Sequence, residues 1–142
     1  MSPATATKEE VTRRLDDWAQ RLRALYAQVD EWRRELLPDS RLRIHDEPHS
    51  EPFLRAQGIK SYPIPHCTIE APGRKIEIDP RDLWVIGAQS RLVLMVDRPE
   101  NNYMIVDLAR EEGMESEWQY LDVSAKDFHR PFNRDNFRKL LK

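Results

Sequence analysis

The stretch Thr7–Pro38, TKEEVTRRLDDWAQRLRALYAQVDEWRRELLP, decides how the rest of the chain is read. Thr7 and Glu10 stand in the spacing of a capping box, in which hydroxyl and carboxylate each satisfy a backbone N–H that the first helical turn leaves without a partner. Pro38 closes the far end, because the residue before a proline is disfavoured in helical geometry. Between these marks the apolar residues are Val11, Leu15, Trp18, Leu22, Leu25, Val29, Trp32 and Leu36, at spacings of 4, 3, 4, 3, 4, 3 and 4. The mean period of 3.5 is that of a heptad, with Leu15, Leu22, Val29 and Leu36 at one seam position and Trp18, Leu25 and Trp32 at the other. The expectation is one helix over residues 8–37, preceded by a disordered leader over 1–7.

After Pro38 the texture changes. Six of the ten prolines fall between residues 48 and 80, so residues 38–66 read as a proline-rich connector with at most one helical turn near Phe53–Gln57. Strand patterns follow. Cys67, Ile69 and Ala71 alternate with Thr68 and Glu70, Pro72-Gly73 makes a turn, and Ile76 and Ile78 alternate with charged residues, which is a hairpin. A second hairpin pairs 91–97 with 103–108 across the turn RPENN, and a last strand covers 118–123. Shorter strand-like pieces stand at 41–45 and 83–86. Ser124 opens a turn, Pro131 interrupts, and Asn133 is placed to cap a short helix that turns Phe137, Leu140 and Leu141 inward. The fold class is therefore α+β: a long amphipathic helix, an antiparallel meander of five to seven strands over 67–123, and a helical segment over 124–142, forming a single domain over 8–142.

Bulk composition limits the function classes. The 142 residues carry a formal net charge of −2, which gives no global field for nucleic acid or an anionic membrane. A single cysteine rules out an internal disulfide and suits a reducing compartment, so a cytoplasmic location is expected. No apolar run reaches the roughly 20 residues that a membrane-spanning helix needs, and the first residues lack the basic-then-apolar pattern of a signal peptide.

The heptad stripe asks for a partner. A 30-residue helix is a rod of roughly 45 Å, whereas strands of six or seven residues reach only about 20–23 Å. A contiguous apolar strip left in water marks an interface. The expectation is a protein–protein contact, in the first instance a homo-oligomer through residues 11–36, using Leu15, Trp18, Leu22, Leu25, Val29, Trp32 and Leu36. Antiparallel pairing would set Arg14 against Glu35 of a second copy; parallel pairing offers no ion pair.

Sites for chemistry are fewer. His45, His49 and His66, with Cys67, are the only plausible constellation for a transition metal. His45 and His49 share the H-x-x-x-H spacing of zinc proteases, but Pro48 between them forbids the helix that gives this spacing its meaning. His66 and Cys67, adjacent on a strand, point to opposite faces and cannot form a nucleophilic pair. The strand carboxylates Glu70, Glu77, Asp79, Asp97 and Asp107 lack the Glu-x-Lys or Asp-x-Lys companion of metal-dependent nucleases. Lys126, Arg130, Arg134, Arg138 and Lys142, with His129 and Lys139, form a local basic patch that could contact phosphates, although the acidic stretch Asp107–Asp122 is a ready internal counterpart. No cofactor is expected. The reading is a non-enzymatic interaction module, an accessory, adaptor or inhibitor-like protein, with the acidic loop 111–117 and residues 48–65 as further contact points. A metal-dependent hydrolase or nuclease and a nucleic-acid-binding accessory protein are the alternatives.

Overall fold

The computed structural model describes residues 6–85, 88–109, 113–121 and 129–142. It is an α+β fold: α1 (Lys8–Leu36), β1 (Arg41–His49), α2 (Pro52–Ala56), β2 (Tyr62–Ala71), β3 (Arg74–Val85), β4 (Ala88–Val96), β5 (Arg98–Asp107), β6 (Trp118–Leu121), β7 (His129–Pro131) and α3 (Arg134–Leu140). The seven strands form one antiparallel sheet in the order β1 to β7, every neighbour in space being a neighbour in sequence.

Helix α1 begins as its sequence dictates. The Glu10 N–H donates to Thr7 Oγ1 at 3.2 Å, and the Glu10 carboxylate accepts from the Thr7 N–H at 3.1 Å. Before the helix, Ala6 is buried, and its carbonyl accepts from Gln57 Nε2 at 2.7 Å, tying the chain ahead of α1 to the segment after α2. At the other end Asn133 Oδ1 accepts from the Asn136 N–H at 3.0 Å, capping α3 and turning Phe137, Leu140 and Leu141 into the core.

About half of the proline-rich connector is strand. β1 spans Arg41–His49 and β2 already begins at Tyr62, with α2 as the one short helix between them. The prolines survive because each sits where a missing N–H is tolerated. β1 is the sheet edge, so Pro48 has a free side. Pro63 and Pro65 lie in the half of β2 that pairs with β1 alone, since β3 joins β2 only over Cys67–Ala71. Pro80 stands at a register shift in β3, the irregularity that lets a strand accommodate a residue outside the ladder. The turn of the second hairpin is also tighter than RPENN: Asp97 takes a left-handed φ of 68°, and Arg98 already begins β5.

The apolar stripe of α1 is covered by the chain's own sheet. Val11, Leu15, Trp18, Leu22, Leu25 and Val29 are all buried, in one cluster with Cys67, Ile69, Ile76, Ile78, Leu92, Leu94 and Ile105. Each fully buried aliphatic side chain contributes about 1.5–3 kcal/mol of hydrophobic stabilisation. The expected shortfall of sheet does not arise because β1 to β5 are 9 to 12 residues long, roughly 30–40 Å at ~3.3 Å per residue. The last turn of the rod is capped by α3. Trp32 meets Phe132 edge-on at 5.4 Å and Phe137 at 5.7 Å, and Leu36 packs against the same cluster.

Candidate functional site

Among the described residues, polar side chains gather in defined arrangements at several places. The first lies on β1, β2 and β3. In the β1–β2 ladder His45 stands opposite His66, so both imidazoles share one sheet face, and their ring centroids are 5.8 Å apart. The β2–β3 register, with Cys67 opposite Ile78, brings the next rung of β3, Asp79, beside His66. His66 Nδ1 is 2.6 Å from Asp79 Oδ1 and 3.4 Å from Glu47 Oε2. The other oxygen of each carboxylate is held from outside: His45 Nε2 is 3.2 Å from Glu47 Oε1, and Arg81 Nη2 is 3.0 Å from Asp79 Oδ2. The His66 hydrogen bond, aided by the charge of Arg81 and opposed by partial burial, holds the Asp79 carboxyl below its ordinary range. A cavity of about 190 Å³ opens over His45, Glu47, His66 and Asp79, its wall including Thr68, Glu77 and Met95.

His49 is elsewhere. Its Nε2 is 2.6 Å from Glu51 Oε2, its ring packs edge-on against Trp18 at 5.0 Å, and Glu51 accepts the Leu83 N–H at 3.1 Å. The H-x-x-x-H pair is thus split between two environments, because β1 is extended and four residues along a strand span roughly 13 Å. Cys67 lies in the core on the other face of β2 from His66, and burial pushes its thiol up to about 12.

The second region is a groove between α1 and the loop that follows β5. It measures about 510 Å³ and is lined from α1 by Asp17, Gln20, Ala24 and Gln28 over a floor of Leu25, from the loop by Met114 and Glu115, and from the start of β6 by Trp118. Arg21 fastens the loop to the helix. Its guanidinium donates to the Met114 carbonyl at 2.6 Å, Ser116 Oγ at 2.8 Å and Asp17 Oδ2 at 2.8 Å, and it reaches Asp107 Oδ2 at 3.4 Å. Asp107 is fully buried at the end of β5, and its second oxygen accepts the N–H groups of Ala109 at 3.1 Å and Glu117 at 2.9 Å. With its loop so pinned, Met114 is 48% exposed.

The third region is the C-terminal end. Arg134 pairs with Glu35 and, at 3.2 Å, with Asp135. Arg130, Arg138 and Lys142 are exposed, while Lys126 falls outside the described residues. Glu35, expected against Arg14 of a second chain, is therefore engaged within its own chain, and Arg14 is buried on α1. The remaining strand carboxylates are dispersed: Glu70 is 3.8 Å from Arg43, Glu77 is 3.1 Å from Lys75, and Asp97 is 3.0 Å from Arg74.

Two of the three histidines picked from the sequence thus meet in space, joined by Glu47, two residues from His45 on β1, and by the strand carboxylate Asp79 of β3. Among the described residues no helix is long and apolar enough to cross a membrane. Comparison with protein-family models, with curated protein sequences and with solved structures finds no match.

Proposed function

We propose that this chain is a cytoplasmic protein-interaction module, and that its recognition surface is the groove between α1 and the loop 113–117, in place of the heptad stripe now turned inward. The observation that carries the reading is Met114, an exposed apolar side chain held beside Trp118 by a loop whose backbone is fixed through Arg21. Methionine on a surface adapts to varied apolar partners, and a loop on a rigid scaffold is where recognition concentrates. Leu25 and Ala24 supply an apolar floor, and Asp17 and Glu115 supply negative charge at the margins. A segment presenting an apolar side chain next to a lysine or arginine fits that lining.

Photo-crosslinking tests this. A crosslinker placed at Met114, and separately at Ala24, is expected to capture one and the same protein from the native cell. With both proteins purified, Ala24→Arg should weaken binding at least about tenfold, that is by about 1.4 kcal/mol. Ala24 is exposed, so the variant folds. Capture from Glu100 on β5 but from neither groove position, or binding indifferent to Ala24→Arg, contradicts the reading.

A further inference from the structure

We propose that Glu47, His66 and Asp79 hold one divalent transition-metal ion on the face of the sheet opposite Cys67, with His45 as a positioning residue for Glu47. The ligand atoms of Glu47, His66 and Asp79 all lie within 4.8 Å of one another. An ion bound tetrahedrally at about 2.1 Å from nitrogen and oxygen sets its ligands roughly 3.4 Å apart. The separation of His66 Nδ1 from Glu47 Oε2 is already 3.4 Å. The 2.6 Å between His66 Nδ1 and Asp79 Oδ1 has to open by less than 1 Å as the metal replaces the proton between them. Each ligand comes from a different strand of a continuous ladder, so the three backbones are fixed relative to one another.

The outer contacts suit the role as well. Metal-bound carboxylates need their second oxygen engaged, and here His45 takes that of Glu47 and Arg81 that of Asp79. His45 Nδ1 is a buried nitrogen with no hydrogen-bond partner among the described residues. His66 is 13% exposed, so the ligand set is partly withdrawn from water. The 190 Å³ cavity leaves room for a fourth ligand, a water or a small anion. One imidazole with two carboxylates selects a borderline first-row ion over Mg²⁺ or Ca²⁺, and the order of intrinsic affinities favours Zn²⁺ over Mn²⁺ or Fe²⁺.

Titration calorimetry of the full chain with zinc chloride, and absorption spectra with cobalt chloride, test the site. One ion per chain is expected, with the visible bands of a four- or five-coordinate cobalt centre. His66→Asn and Glu47→Gln should each weaken zinc at least about tenfold, His45→Gln by about tenfold, and His129→Gln, on exposed β7, should change nothing. Because a ligand variant could lose its fold, nitrogen NMR of the wild-type imidazoles gives a second readout, in which zinc shifts His66 and His45 and leaves His49 in place. Absence of binding by the wild type, affinity indifferent to His66→Asn, or zinc-induced shifts confined to His49 or His129 would overturn the proposal and leave the cluster as an ion-pair network.

Discussion

Arg21 Nη1 lies 3.4 Å from Asp107 Oδ2, joining the middle of α1 to the end of β5 across 86 residues of sequence. Both side chains are almost wholly withdrawn from water, so neither charge can be left alone. Arg21→Met keeps the length of the side chain and removes its charge and its donors. It should cost about 3–5 kcal/mol, the penalty of breaking a buried pair, as measured by urea denaturation. Adding Asp107→Asn should recover part of the loss, because the stranded charge is then gone. Additive losses would show that the pair does not act as a unit.

Glu35 and Arg134 give a prediction on the opposite scale. Their pair is solvent-exposed, so Glu35→Arg should lower stability only slightly, and Arg134→Glu should restore it. Arg14→Glu added to Glu35→Arg should instead deepen the loss, since Arg14 is buried on α1. Rescue by Arg14→Glu would point back to an antiparallel helix pair between two chains.

Cys67 reports on the core. A thiol pushed up to about 12 by burial is almost wholly protonated at neutral pH, and thiolate is the reactive form. Labelling by a disulfide reagent at pH 8 should be negligible in the native protein and complete in denaturant. Rapid labelling of the native state would contradict the packing of β2 beneath α1.

Asp79 sets an acid limit. Its folded pKa is lowered, chiefly by the His66 hydrogen bond, so its stabilising contribution is present above the ordinary carboxylate pKa and is lost as pH falls through the lower, folded value. Stability should therefore drop in the acid range below about pH 4. Asp79→Asn should flatten that part of the profile while lowering stability at neutral pH. An unchanged acid profile in the variant would sink this assignment.

The helix was legible because cap, period and terminator all agree on it, and the two hairpins because their alternation is clean. What the helix packs against is less legible, for two physical reasons. Ala19 and Tyr26 flank the heptad seam and are buried with it, and an apolar stripe wider than the two seam positions belongs to a globular core. The strands are also longer than their prolines suggest, since prolines that end a central strand are harmless at an edge or in a half-paired segment. The metal candidates were half legible. Residue types picked out His45 and His66, and strand alternation puts Glu47 on the face of His45 two residues away, but only the pairing of β1 with β2 across the α2 segment brings His45 and Glu47 to His66 and Asp79, and that long-range pairing is not written in local pattern. The Arg21–Asp107 clamp left no local signal at all, one partner reading as a solvated helix position and the other as a strand carboxylate.

The groove beside α1 is the surface offered to a partner only if α1 is covered by its own chain. The midpoint of thermal unfolding, followed over about a hundredfold range of protein concentration, tests this most directly, since a fold completed by a second copy gains stability by mass action. The account predicts one midpoint at all concentrations. A midpoint that climbs by several degrees with concentration would show that the stripe of Trp18 and Leu22 is closed by another molecule.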